Sequence, residues 1–331
     1  MPRAAFVTIG TYVPPRVVTN RDLTKVMDTT DEWIQQRTGI QERHWVDPGT
    51  GTADLAHEAS KRALDQAGWK AADLDAIVFA SLSPDHVFPG DGCFLNAKLG
   101  IPGVPALDVR NQCSGFLYGL SIVDAWIRTG SYRRVLLVGA EVHSTGLDVS
   151  TRGRDVSVIF GDGAAAALLE ATDDPDRGVL AWALHADGRF ATDLWADAPG
   201  SLYSPRLSHE MVESTAIFPK MEGQKVFKHA IVKMPEVVRE VLGKAGVEAK
   251  DLKVLIPHQA NLRIAEVVQK SLGLRDDQVF NNIQKYGNTT AASIPLALAE
   301  AVPARGIQRG DLVGMCAFGA GFTWGAAVAR W

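Results

Sequence analysis

Apolar residues recur with a helical period through DLAHEASKRALDQAG (54–68), and after the polar connector WKAADL they give way to the apolar run DAIVFASL (75–82). That is the pattern of an amphipathic helix leading into a buried strand. The second half of the chain repeats it: MPEVVREVLGKAG (234–246), then VEAKDL, then KVLIPHQ (253–259). The Asp-Leu pairs of the two connectors, Asp73-Leu74 and Asp251-Leu252, stand 178 residues apart, the helix ends Leu99-Gly100 and Leu272-Gly273 stand 173 apart, and the turns at Gly130 and Gly306 stand 176 apart. So constant an offset predicts a duplicated helix–strand–helix–strand–helix–strand unit. The expected architecture is an α/β layered fold with two pseudo-symmetric halves, residues 1–171 and 179–331, joined by the acidic turn TDDPDRG (172–178), with the functional site between them.

Composition narrows the class. With 331 residues, 46% apolar and 22% charged, the chain can bury a sizeable core, and disorder, collagen and coiled coil are excluded. The 34 basic and 38 acidic residues leave a net charge of −4, so the chain has no basic footprint and nucleic acid is not an expected partner. Three cysteines, Cys93, Cys113 and Cys316, lack metal-ligand spacing and are odd in number, which predicts neither a disulfide framework nor a zinc site and suits a reducing cytoplasm. The opening MPRAAFVTIGTYVPPRVV carries glycine and prolines where an export signal needs an unbroken apolar stretch. The uncharged run Leu312–Ala329 is long enough to span a membrane, but Gly314, Gly319, Gly321 and Gly325 predict two buried strands around a glycine turn, so no membrane insertion is expected. Gly161-Asp162-Gly163 after VSVIF is expected to be a hairpin turn rather than a dinucleotide fingerprint.

The candidate chemistry begins at Cys113. It follows the strand PALDV and precedes SGFLYGLSIVDAWI, which has helical spacing, so it falls at a helix N-terminus, where unpaired N–H groups favour a reactive thiolate. Position alone leaves a buried, inert cysteine open; Cys93 and Cys316 lack that placement and are expected in the core. Two segments of the second half bear on the choice. His258 lies at the end of the strand KVLI, and Asn288 opens the helical run AASIPLALAEA. An offset of about 175 residues maps Asn288 onto Cys113, which sets the two at related helix N-termini with His258 beside them.

The chain resembles the β-ketoacyl-acyl-carrier-protein synthases of type III, within the thiolase superfamily. The matching stretches are DTTDEWIQQRTGIQERH (28–44), Cys113-x-Gly115-Phe116, TRG with IFGDGAA (151–165), HADG (185–188), PHQANLRI (257–264), KYGNTTAAS (285–293) and FGAGFTWGAA (318–327). The resemblance implies a thiolase-like fold of five αβαβα layers and a decarboxylative Claisen condensation. Cys113 would take an acyl group from acyl-CoA; malonyl-acyl-carrier protein would then lose carbon dioxide and attack the acyl-Cys113 thioester, initiating fatty acid biosynthesis. His258 and Asn288 would hold the enolate oxygen, and the N–H groups of Cys113 and Ala320 would form a second oxyanion hole. Acyl-CoA and the carrier protein are then substrates, and no cofactor or metal is expected.

For CoA the resemblance implies Trp33 and Arg152 around the adenine, Arg37 on the phosphates, and Thr29 and Asn261 along the pantetheine arm. Phe88, Asn111, Gln112 and Phe318 would shape the acyl pocket, with Phe88 reaching across a homodimer interface. Arg263, Lys270, Lys225 and Lys228 would dock the acidic carrier protein. Three departures stand out: Ala320 where the family has glycine, Asn111-Gln112 before the nucleophile, and LSPDHVFPGDG (82–92) in place of a Thr/Ser-rich loop. The last two motivate a rival within the same chemistry, a specialised ketosynthase for longer acyl chains in secondary metabolism. An acyl-thioester hydrolase and a non-catalytic carrier-protein binding module are further rivals.

Overall fold

The computed structural model describes residues 1–331. Strands β1 (Arg3–Tyr12), β2 (Ala76–Ala80), β3 (Ala106–Val109), β4 (Arg134–Glu141) and β5 (Gly163–Thr172) form one sheet in the order β1-β5-β4-β2-β3. A second sheet, in the order β7-β8-β9-β6, contains β6 (Gly178–Ala186), β7 (Leu252–Pro257), β8 (Leu312–Gly319) and β9 (Thr323–Arg330). In the first, β2 is parallel to β3 and β4, and β5 is antiparallel to β4 and β1. The second repeats this: β7 is parallel to β8, and β9 is antiparallel to β8 and β6. The counterpart of β3 is reduced to one bridge between Leu255 and Val279. Val279-Phe280 is too short an apolar run, flanked by Asp276, Asp277, Gln278, Asn281 and Asn282, to sustain the fourth element that the repeat predicts.

Helices α1 (Asp31–Thr38), α2 (Thr52–Ala67), α3 (Asp91–Leu99), α4 (Gly115–Arg128), α5 (Gly223–Ala245), α6 (Leu262–Leu272) and α7 (Ser293–Ala304) complete the layers. Helix α2, with α3 beside it, covers the outer face of the first sheet, and α5, with α6 beside it, that of the second; α4 and α7 lie between the sheets, which gives the αβαβα order. The central core joins Phe116, Leu117 and Leu120 of α4 and Ile294 and Leu298 of α7 to Val78 and Leu137 of one sheet and Val254 and Met315 of the other. Burying each large apolar side chain contributes about 1.5–3 kcal/mol. The inner helices therefore bind the sheets together from between.

Leu312–Ala329 forms the two expected buried strands, and no helix is long and apolar enough to cross a membrane. Two expectations are corrected. The Asp-Gly hairpin is absent: Arg154–Ser157 is a short helix, and Asp162 is fully buried, its carboxylate accepting the N–H groups of Val46, His143 and Ser144 and the Ser144 hydroxyl. A buried carboxylate needs such donors, so it gathers two loops instead of turning one. Cys93 is exposed and only Cys113 and Cys316 are buried, because α3 turns Asp91, Gly92 and Leu95 inward and residue 93 falls off that stripe.

One close approach links the fold to the site. A Cβ at Gly139 of β4 would collide with the backbone of Ala291 and Ala292, in the turn that leads into α7. We expect Gly139→Ala to destabilise the chain by about 1–3 kcal/mol, read as a fall of several degrees in melting temperature; an unchanged melt would show that the turn can move away freely.

Candidate functional site

A cavity of about 520 Å³ opens between the halves and is lined by Cys113, His258, Asn288, Phe318 and Gly319 together with Trp33, Arg37, Asn261 and Arg263. Cys113 sits in a 3₁₀ turn (Gln112–Ser114) directly before α4. Gln112 takes φ 44°, a left-handed conformation costing a non-glycine residue about 1–3 kcal/mol, so the turn is a strained elbow. The N–H groups of Cys113 and Ala320 lie on the sulfur's side and favour its charged form. Gly319 makes room for it, since a Cβ there would stand 2.7 Å from the sulfur. Ala320 is not among the positive-φ residues, so a side chain at that position is compatible with the backbone.

The expected thiolate is corrected. Burial, and then the nearby Glu141, push the Cys113 thiol up to about 12, and the two N–H groups only partly oppose them. The resting nucleophile is a neutral thiol because desolvation outweighs the helix start.

His258 follows β7, anchored by its N–H to the Cys316 carbonyl at 2.7 Å. Its Nδ1 lies 2.6 Å from the Ser293 hydroxyl, which also accepts the Gln259 N–H. Nδ1 is the one acceptor within reach of the hydroxyl hydrogen, and on that ground we assign the ring proton to Nε2. That Nε2 is buried with no partner on the protein. Burial pushes the ring down to about 3, so it stays neutral. The Asn288 side chain is fixed just as tightly: its Oδ1 accepts the Thr290 N–H at 2.8 Å, which leaves the NH₂ as the free end. Two neutral donors thus border the cavity that holds the sulfur.

The turns before α4 and α7 revise the symmetry argument. A 3₁₀ turn (Thr290–Ala292) precedes α7 as Gln112–Ser114 precedes α4, and Thr290 takes φ 48° where Gln112 takes 44°. Residue 113 therefore corresponds to Ala291, 178 residues on, and Asn288 lies three residues earlier. The two turns do meet at helix starts: a Cβ on Gly115 would stand 3.4 Å from that of Ala291.

Comparison with known proteins shows the family. The chain matches the families described as 3-oxoacyl-[acyl-carrier-protein (ACP)] synthase III over residues 107–188 and 3-oxoacyl-[acyl-carrier-protein (ACP)] synthase III C terminal over residues 242–331. It is 45% identical over 328 residues to the beta-ketoacyl-[acyl-carrier-protein] synthase III of Caldanaerobacter subterraneus subsp. tengcongensis, covering 99% of this chain and 98% of that one. The chain belongs to the β-ketoacyl-acyl-carrier-protein synthase III family. Among solved structures it superimposes on the 3-oxoacyl-[acyl-carrier-protein] synthase III of Aquifex aeolicus VF5 with a TM-score of 0.91 at 40% identity, covering 99% and 100% of the two chains. The priming β-ketosynthase of the R1128 polyketide pathway matches at 0.89 and 31%, with 99% and 96% covered.

The entrance residues expected for a synthase III divide into two groups. Trp33, Arg37 and Asn261 border the cavity, and the Asn261 amide donates to the Arg37 carbonyl at 2.8 Å. Arg152 does not join them: it pairs with Asp148 at 2.7 Å and its side chain is 62% exposed. Arg154 does not line the cavity either, but it stands at the indole, with its guanidinium 4.7 Å from the Trp33 ring centre and that of Arg37 at 4.3 Å. The sequence TRGR offers two arginines, and only the tight turn through 151–153 decides which one faces the indole. Thr29 keeps its hydroxyl buried and unpartnered nearby in sequence.

Of the four basic residues, Arg263 and Lys228 line the cavity, while Lys225 pairs with Asp193 at 3.0 Å and Lys270 is an exposed residue in the last turn of α6. Phe318 lines the cavity; Phe88, Asn111 and Gln112 do not. Phe88 is 79% exposed. Sequence reasoning missed Ser293 and Thr290, although both stand inside the quoted KYGNTTAAS stretch. No group of His, Cys, Asp or Glu is arranged to hold a metal.

The neutral thiol has a kinetic signature. In a Cys93→Ser variant, alkylation of Cys113 by iodoacetamide should rise about tenfold per pH unit between pH 7 and 10 without levelling. A plateau below pH 9 would mean that the site holds a thiolate.

Proposed function

We propose that this chain condenses an acyl-CoA primer with malonyl-acyl-carrier protein and so initiates fatty acid synthesis, with its N-terminal half supplying the nucleophile and its C-terminal half the two donors. The observation that carries this is the pair of neutral donors, a buried unpartnered His258 Nε2–H and the Asn288 NH₂, on the cavity that holds the Cys113 sulfur. Sγ attacks the primer carbonyl, the carbon–sulfur bond to CoA breaks, and the thiol proton leaves on the CoA sulfur. The Cys113 and Ala320 N–H groups, already directed at the sulfur, are placed to receive the developing oxyanion. The malonyl thioester then releases carbon dioxide, and its enolate oxygen takes hydrogen bonds from His258 and Asn288. The enolate carbon attacks acyl-Cys113, and the thiolate that departs is reprotonated from solvent. Loss of carbon dioxide supplies the electron pair, so no base is needed and a His258 that stays neutral suffices.

Trp33 with Arg154 is our assignment for the adenine stack, with Arg37 toward the phosphates. Arg263 and Lys228 are the side chains best placed to meet the acidic carrier protein at the cavity. A homodimer through the β3 edge is supported by the exposed apolar residues there, Leu107 on β3 and Val87 and Phe88 beside it, which an isolated chain leaves to solvent. The three free cysteines suit a cytoplasmic enzyme.

The deciding experiment separates the half-reactions. Cys113→Ala should gain no acyl mass from acyl-CoA. Asn288→Ala should self-acylate yet release carbon dioxide from malonyl-carrier protein about 100-fold more slowly or worse; normal condensation by that variant would remove the enolate role. For the entrance, Arg154→Ala should raise the KM for acyl-CoA about tenfold and Arg152→Ala by less than about twofold. The reverse order would return the adenine stack to Arg152.

A further inference from the structure

We infer that His143 is a positioning residue for the Asn288 carboxamide, acting through the hydroxyl of Thr290. The inference rests on the reading above, in which the Asn288 NH₂ holds the enolate.

His143 follows β4 by two residues, is buried, and does not line the cavity that holds Cys113. Its Nε2 is already engaged, 2.7 Å from Thr290 Oγ1. The fully buried Thr290 has φ 48°, a conformation a β-branched residue keeps only where its surroundings hold it. The hydroxyl contact to His143 is the hold that the structure displays. The same residue's N–H fixes Asn288 Oδ1 at 2.8 Å and so decides which end of the carboxamide stays free. A Thr290 released from His143 can relax to negative φ, and the N–H that orients Asn288 loses its anchor.

The imidazole braces the other side of Asn288 as well. Its ring centre lies 4.6 Å from that of Phe160, whose backbone forms a parallel bridge with Asn288, and the Gly161 N–H donates to the Asn288 carbonyl at 3.1 Å. His143 is itself held: its N–H donates to the buried Asp162 carboxylate at 2.7 Å. Burial keeps the ring neutral, pushed down to about 3, so it secures the hydroxyl without placing a charge beside the enolate. Asp162, which the sequence pattern assigns to a hairpin, is the base of this support.

The test follows the two half-reactions in His143→Leu, His143→Gln and Thr290→Val. His143→Leu and Thr290→Val each remove one end of the same contact and should slow carbon dioxide release from malonyl-carrier protein by about 10- to 100-fold, with self-acylation by acyl-CoA within about threefold of wild type. His143→Gln, which returns a polar atom near the Nε2 position, should recover most of the loss. Glycine takes positive φ without help, so in a Thr290→Gly background His143→Leu should cost less than about threefold. Wild-type decarboxylation by both His143→Leu and Thr290→Val, an equal fall of both half-reactions, or a full loss persisting in the Thr290→Gly background would each overturn the inference. Asn288→Ala assayed in parallel keeps the failures apart: normal condensation by that variant sinks the enolate reading itself, whereas a blocked Asn288→Ala beside a normal His143→Leu sinks only the support proposed for it.

Discussion

The close approach of the two turns that begin α4 and α7 is the constraint on which the site depends. Only small groups stand where they meet: Gly115 and Ala291 face each other, and the backbone of Ala291 and Ala292 rests on Gly139 of the neighbouring sheet. A larger side chain at any of these points would push one half off the other. Since Cys113 belongs to the first turn and Asn288 leads into the second, the packing that closes the central core also sets the chemistry. The site is a property of the seam, and neither half carries it alone.

Burial in that seam governs the charges. It keeps the Cys113 thiol protonated, keeps His258 and His143 from taking up a second ring proton, and pushes the Glu141 carboxyl up to about 7 despite donors from Ser81, Leu82, Ser83 and Ala291. The resting cavity therefore carries no charge on its three reactive groups. Charge develops only as bonds rearrange, and there the fixed N–H donors act in surroundings where water cannot screen them.

Layering and duplication were legible in the sequence because each leaves a local trace, a helical period or a repeated offset; Cys113, His258 and Asn288 were legible as candidates lining one cavity, although the offset set Asn288 where the turn places Ala291. What failed depended on phase or on partners remote in sequence. Choosing Arg152 over Arg154 is a two-residue error in a tight turn, where neighbouring side chains point in different directions. The Asp162 hairpin failed because the donors of that carboxylate, Val46, His143 and Ser144, come from two separate loops. Cys93 was misplaced because a short helix carries too few apolar positions to reveal which way it faces. The thiolate failed for a different reason: helix starts are visible in sequence, and the depth of burial that outweighs them is not.

The duplication also explains how one backbone device serves two tasks. Both halves keep a left-handed residue at the same place in the turn, Gln112 and Thr290, and both keep the 3₁₀ turn that follows. In the first half that geometry presents a sulfur. In the second the equivalent position is Ala291, which has no reactive group, and the strained residue instead turns its N–H back on Asn288. Strain that in one copy aims a nucleophile has in the other become the means of aiming a donor. Such a change needs only that something hold Thr290 from behind, and His143, reaching it from the first half, does so across the same seam that brings the sulfur and the carboxamide together.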